Sequence, residues 1–232
     1  MIDVRPFAGL GHFRNDWLDT HHHFSFDTYM DPARMGWGPL RVWNDDLIAP
    51  GTGFGMHGHR DMEIITYVRQ GAITHRDSLG NEGRTEAGDV QVMSAGTGIR
   101  HAEYNQGAAP VLLFQIWLLP NRQGLPPRWE TRAFPKTTSG GKLQVLASGR
   151  PGDAGAMTIH QDAALLGATL AQGESLTYAL LAGRKAYAVP TTGQVEINGL
   201  KVPARAGAAI AGETLLSLRA EAPTELIFAD LP

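Results

Sequence analysis

Nine short apolar or β-branched runs punctuated by tight turns set the fold class of this chain. They are Glu63–Val68, Asp89–Met93, Val111–Leu119, Leu143–Ala147, Leu176–Leu181, Ala186–Val189, Gln194–Ile197, Leu215–Leu218 and Glu225–Phe228. Turn signals at Gly71, Gly80–Asn81, Gly88, Gly107, Gly193 and Asn198–Gly199 lie between them. Runs of this length with glycine-containing turns predict an all-β sandwich or barrel rather than a helical bundle. With 28 glycines and 14 prolines in 232 residues, the chain is rich in turn-formers. Helix is expected only in brief stretches such as Gln161–Leu166. The segment PNRQGLPPRWETRAFP, residues 120–135, has four prolines and reads as a linker between two β units. Gly71 and Gly193 each follow an apolar run, and Gly88 and Gly207 come next in each half, which reads as a weak internal repeat.

Composition removes several classes of function. Formal net charge is −3 and no lysine–arginine stripe occurs, which argues against a broad grip on nucleic-acid phosphates. The chain has no cysteine, so disulfides, thiolate metal sites and cysteine nucleophiles are excluded. The opening MIDVRPFAGLGHF is unlike a signal peptide, and no apolar run reaches the ~18–20 residues that span a bilayer. The expected location is the cytoplasm.

Eight of the nine histidines lie at or before position 101. His57 and His59 stand two residues apart, as do His101 and Glu103, and alternation along a strand sends both members of each pair to one face. Two antiparallel strands carrying these pairs aim three imidazoles and one carboxylate at one point. Such a set suits a divalent first-row metal: Fe(II), Mn, Ni, Cu or Zn. By the same parity Glu63 falls on the face of His57 and His59, and Asn105 on that of His101 and Glu103. His21, His22 and His23 read as a strand near a barrel mouth. His75 and Asp77 read as flanks of a surface hairpin, and Asp45–Asp46 as a turn or cap. Phe24, Phe26, Trp37 and Trp43 read as core, with some lining a flat pocket.

The spacing of Gly51, His57, His59, Glu63 and Gly71 resembles the first cupin motif, and that of Gly88, Ser94, Gly96, His101 and Asn105 the second. The first has one extra residue before its last glycine; the second has serine for proline and two extra residues before its histidine. The strings HHHFSFDTYMDP, MGWGPLRVWNDDLIAPGTGFGMHGHRDMEIITYV, HRDSLGNEG and GDVQVMSAGTGIRHAEYN are similar to the pirin signature, over about Thr20–Trp117. The resemblance implies a bicupin: residues 1–125 as a metal-binding barrel and 126–232 as a degenerate barrel without ligands. It implies one divalent ion, Fe(II) foremost, on His57, His59, His101 and Glu103, with Glu63 beside the ion or competing as a ligand, while the parity of Asn105 makes it a candidate support for the ligands.

The resemblance also implies quercetin 2,3-dioxygenase activity, in which a flavonol-like aromatic substrate is cleaved with O2 and carbon monoxide leaves. Glu103 would then serve as catalytic base for the 3-hydroxyl proton. The alternatives are a metal-dependent regulator that binds a protein partner, as animal pirins do, or an oxygenase for another small molecule. Neither direct nucleic-acid binding nor membrane association is expected. In the second half, counting from its glycines places Ala179 and Leu181 opposite His57 and His59, and Ala220 and Ala222 opposite His101 and Glu103.

Overall fold

The computed structural model describes residues 1–134 and 140–232. Two compact units emerge: Gly11–Pro135 with Met157–Gln161, and Met1–Leu10, Lys136–Ala156 and Asp162–Pro232. Among the described residues nearly everything regular is strand, apart from single 3-10 turns at Phe7–Gly9 and Pro32–Arg34.

The unit holding the histidine pairs contains β2 (Gly11–Arg14), β3 (Leu18–His22), β4 (Leu40–Ile48), β5 (Gly53–His59), β6 (Glu63–Gln70), β7 (Ala72–Asp77), β8 (Glu82–Glu86), β9 (Val90–Ser94), β10 (Ile99–Tyr104), β11 (Val111–Leu118) and β12 (Arg128–Arg132). They form two sheets, in the orders β12-β9-β6-β11-β4-β3-β2 and β5-β10-β7-β8. Inward alternation buries Leu18, Ile48, Val68, Ile73, Val111 and Leu113 in one cluster, and Trp43, Phe24 and Phe114 are fully buried. This apolar burial is the main stabilising term of a β unit of this size.

The other unit contains β1 (Ile2–Arg5), β13 (Gln144–Ser148), β15 (Ala164–Leu170), β16 (Ser175–Ala179), β17 (Lys185–Thr192), β18 (Gln194–Ile197), β19 (Leu200–Pro203), β20 (Gly207–Ala211), β21 (Leu215–Ala220) and β22 (Thr224–Leu231), while β14 (Met157–Thr158) falls in the first. Its sheets run β1-β20-β17-β22-β15-β13 and β16-β21-β18-β19. The two units therefore repeat one plan: β5-β10-β7-β8 matches β16-β21-β18-β19, and β9-β6-β11-β4 matches β20-β17-β22-β15. Beside the first of these four lies β12 in one unit and β1 in the other. The internal repeat read from glycine positions is real at the level of strand order.

Register then corrects the counting. His101 pairs with His57 on one side and Asp77 on the other. The matching row in the second unit is Leu176–Leu218–Ile197, all buried, with Tyr178–Leu216 in place of His59–Ile99. Ala220 then stands opposite Glu103, so the expected Ala179, Leu181, Ala220 and Ala222 were two to three residues off. Turn lengths differ between the halves, and counting from glycines cannot see that.

Three further expectations change. The helix expected at Gln161–Leu166 is not formed; Ala164–Leu166 opens β15, whose flanks are taken by β13 and β22. Asp45 and Asp46 are not a turn but lie buried in mid-β4, where Asp45 meets Arg69 and Asp46 accepts from the Thr20 hydroxyl. Buried carboxylates persist in a strand when each has a donor. The proline-rich segment is only partly a linker, because Arg128–Arg132 pairs with β9 along its length; its last residue, Pro135, lies outside the described residues. The first unit accordingly runs to Pro135 rather than to residue 125, and the first ten residues group with the second unit.

Candidate metal centre

β5 is the outer strand of the four-stranded sheet and β10 the next one in, which gives the four expected ligands unequal surroundings. His57 and His59 are partly exposed, whereas His101 and Glu103 are buried at 2% and 1% exposure. Direct pairing of His57 with His101 brings their rings to 4.5 Å, and the His57–His59 and His59–His101 centroids are 4.8 and 5.1 Å apart. A break in register between His101 and Glu103 makes room for the carboxylate below. One ring nitrogen from each of the three histidines lies within 4.8 Å of the others, and a ring nitrogen each of His75 and His101 with a carboxylate oxygen of Glu103 forms a second group of the same spread. His101 belongs to both groups.

Electrostatics prepare these groups as neutral ligands. Burial, then repulsion from His57, holds His59 down at about 4. Burial, reinforced by His57, His59 and His75, pushes His101 down to about 2. A neutral imidazole offers its lone pair to a cation without first losing a proton. The His57 Nδ1–H donates to the Gly55 carbonyl at 2.7 Å, which leaves Nε2 as the donor atom toward the cluster. Both ring nitrogens of His101 are buried without a hydrogen-bond partner. A lone buried imidazole with no partner is costly, and an ion at this point satisfies one of its nitrogens. The residues present thus fit a divalent metal.

Glu103 is held from both sides. Gln91 Nε2 donates to Oε1 and Gln115 Nε2 to Oε2, the latter at 2.9 Å. The Trp117 indole N–H can only donate, and its 3.0 Å bond to Gln115 Oε1 fixes which end of that amide faces Glu103. On the other flank Thr85 Oγ1 donates to Gln91 Oε1 at 3.1 Å. Burial raises the Glu103 carboxyl to about 7, opposed by the Gln91 bond and helped by the charge of Asp46. Asp46 itself is pushed up to about 7, again chiefly by burial.

Not every expected residue joins the cluster. Parity fails for Glu63 because the chain reverses at Asp61, whose φ is +46°, and Glu63 opens β6 in the other sheet. There its carboxylate accepts from Ser94 Oγ at 2.7 Å. Asn105 instead ties a loop: its amide donates to the Ile48 and Ala109 carbonyls and its oxygen accepts from Gly107 N. His22 is buried in β3 and bonds Asn44 Oδ1 at 2.8 Å. His21 falls with His12 and Asp19 in another histidine–carboxylate group, at the outer hairpin of β2 and β3. His75 and Asp77 are the opposite of surface groups, since both side chains are fully buried. β7 lies between β10 and β8, so the hairpin they begin is covered at its base.

Beside His57 and His59 opens a cavity of about 380 Å³ walled by Trp17, Phe26, Phe54 and Trp117, with Gln115 among its lining residues. Trp17 meets Phe54 edge-on at 5.1 Å, Phe26 meets Trp117 at 5.4 Å, and Trp117 meets the His59 ring at 4.9 Å. Phe24 and Trp43 are core, as expected, and Phe26 supplies pocket wall.

Two β units on one strand plan, one carrying a three-histidine and carboxylate cluster and the other an apolar row, define a bicupin with a candidate metal site in one half. Residues 4–118 match the family model described as Pirin, and residues 145–231 that described as Quercetinase C-terminal cupin domain. The chain belongs to the pirin family. It is 55% identical over 230 residues to a pirin-like protein of Caulobacter vibrioides, covering 99% of both chains. It is 42% identical over 233 residues to a quercetin 2,3-dioxygenase of Escherichia coli, covering 100% of this chain and 99% of that one. The crystal structure of the Escherichia coli bacterial pirin YhhW in complex with nickel(II) superimposes with a TM-score of 0.94 at 41% identity, covering 100% of this chain and 99% of that one.

Proposed function

We propose that this chain is a metal-dependent dioxygenase of the quercetin 2,3-dioxygenase type, with one divalent ion on His57, His59, His101 and Glu103. The observation that carries this reading is the aromatic-walled cavity opening beside His57 and His59. A flavonol is flat, largely apolar and hydroxylated at the 3-position. Trp17, Phe26, Phe54 and Trp117 suit its ring faces and edges, and they keep bulk water from the reacting carbon. The name of the 42% identical relative supports the same activity.

A divalent ion on these ligands supplies a Lewis acid that stabilises the ionised 3-oxygen of the flavonol. Gln115 is positioned to touch substrate and Glu103 together, since it lines the cavity and donates to the carboxylate. Glu103, whose proton an ion would displace on binding, would then stand as a carboxylate able to accept the 3-hydroxyl proton. The net reaction inserts both atoms of O2 and expels the 3-carbon with its oxygen as carbon monoxide, so no outside reductant is needed.

The test pairs metal analysis of freshly purified protein with flavonol decay and carbon monoxide release under O2, on samples loaded with Fe(II), Mn, Ni, Cu or Zn. Turnover is expected with at least one of them. Glu103→Gln should keep part of its metal while turnover falls about 10²–10⁴-fold, the usual worth of a positioned general base. Absence of turnover with all five metals overturns the flavonol reading and leaves a metal-dependent binding protein or an oxygenase for another small molecule.

A further inference from the structure

His75 and Asp77 are absent from the ligand set proposed above, yet the fold spends a fully buried ion-pair-capable couple on them directly behind His101. β7 and β10 pair so that Asp77 stands opposite His101 and His75 opposite Glu103. The His75 and His101 rings are 5.3 Å apart. His75 is clamped from its far side by Trp129, stacked on it at 4.6 Å and 5°.

Asp77 is fixed with unusual completeness. Its Oδ1 accepts from the backbone N–H groups of Leu79 and Asn81, at 2.9 and 3.0 Å. Its Oδ2 accepts from Asn81 Nδ2 at 2.9 Å and faces His75 Nε2 at 3.1 Å. A carboxylate so placed can only accept, so His75 must carry its proton on Nε2. A second proton on His75 would put a cation beside a divalent ion, so Nδ1 keeps its lone pair. That atom is buried and has no hydrogen-bond partner.

His101 presents the complementary deficit. Both of its ring nitrogens are buried and without partners. When one of them binds the ion, the other becomes an N–H with nowhere to donate. Metal-bound histidines almost always send that second N–H to an oriented acceptor, as His57 already does toward Gly55. A ring nitrogen of His75 lies within 4.8 Å of one on His101, and the two rings are tilted neighbours.

We infer that Asp77, His75 and His101 form a buried relay in which His101 donates its non-coordinating N–H to His75 Nδ1, fixing the His101 tautomer and ring angle at the metal. His75 and Asp77 are positioning residues in this arrangement and do not touch substrate. The inference rests on the proposed metal centre and is independent of which substrate that centre serves.

The test uses the full chain loaded with Co(II), whose paramagnetism moves the ring N–H protons of coordinated histidines into an empty region of the proton NMR spectrum. Wild type should show three such signals, one exchanging slowly with water because it is sealed between His101 and His75. In His75→Ala the three signals should persist, the sealed one should exchange much faster, and Co(II) should bind about 10–100-fold more weakly. His75→Gln, whose amide oxygen can accept the same bond, should recover part of both effects. Asp77→Asn presents an amide N–H to His75 Nε2, reverses its tautomer, and should unseal the same proton. This variant keeps the test open if His75→Ala does not fold.

A fourth shifted N–H signal in the wild type that His75→Ala removes would instead make His75 a ligand and overturn the relay. Unchanged exchange and affinity in folded His75 and Asp77 variants would overturn it too. A wild type that binds no Co(II), Ni or Fe(II) removes the metal centre itself, which is a separate failure.

Discussion

Glu103 has two demands on it, to sit within a ligand cluster and to remain a useful base, and its surroundings set a measurable proton balance. Burial raises it to about 7, while His59 and His101 are held down at about 4 and 2. At pH 6 these two imidazoles are already neutral and Glu103 is mostly protonated, so binding an ion displaces the Glu103 proton. Metal affinity should therefore climb as pH rises toward about 7 and level off above it. Calorimetry at pH 6 in buffers of different ionisation enthalpy reads the proton directly, and Glu103→Gln should abolish it. Pairs of raised carboxylates also affect the metal-free fold. Glu103 and Asp46, both raised to about 7, favour the folded state below the ordinary carboxylate range, a contribution lost as pH climbs through 7.

At this scale the convergence of His57, His59 and His101, with Glu103 beside His101, was legible because the alternation of a strand is visible in two pairs of residues. The same two-residue spacing marks His75 and Asp77, which were read instead as the flanks of a surface hairpin. What misled was the adjacent turn at Gly80–Asn81, which suggests a solvent-facing hairpin. Only sheet order, with β7 covered by β10 and β8, shows that the base of that hairpin is buried. Glu63 was misplaced for a related reason, since parity holds along one strand and the chain bends at Asp61.

Among elements, the closeness of β5 to β10 decides whether the cluster exists at all. Gly53 pairs with Tyr104, and a Cβ on it would lie 2.1 Å from the Glu103 carbonyl oxygen. Its φ is unremarkable; the requirement is space. Gly53→Ala must push β5 outward and carry His57 and His59 away from His101. We expect a loss of about 1–3 kcal/mol in denaturant unfolding of the metal-free protein, in the range of overpacking changes, together with weaker metal retention. Wild-type stability and metal content in this variant would show that β5 yields without cost. Strand existence was readable from composition and turns. β15 was missed because a short apolar run has no periodicity to separate strand from helix, and the flanking β13 and β22 decide it. β4 carries its buried Asp45–Asp46 pair only because Arg69 and Thr20 come from other strands.

For the whole molecule, two copies of one strand plan make metal stoichiometry a statement about divergence. The row His57–His101–Asp77 is matched by Leu176–Leu218–Ile197 in the other unit, and leucine and isoleucine offer no donor atom. One tightly held ion per chain is expected by elemental analysis after exhaustive dialysis, and close to none when His57 and His101 are both replaced by Ala. Two retained ions per chain would contradict this, and their survival in the double variant would place the second outside the cluster.

Division of the chain at residue 125, as composition suggests, cuts through both units. The strand that covers β9 in the first unit is β12, at Arg128–Arg132, and its Trp129 stacks on His75 behind the metal cluster. The strand that pairs with β20 in the second unit is β1, at the opposite end of the chain. A fragment of residues 1–125 therefore carries β1 without its partner and exposes the edge of β9 without its cover. Unpaired edges of this kind invite association between chains. The fragment should be aggregation-prone, unfold without a sharp transition, and bind Ni or Fe(II) far more weakly than the full chain. Extending it to residue 161 restores β12 and should recover part of the metal affinity. A monomeric, cooperatively folded 1–125 fragment with full metal affinity would show that β12 and the residues after it are dispensable to the first unit.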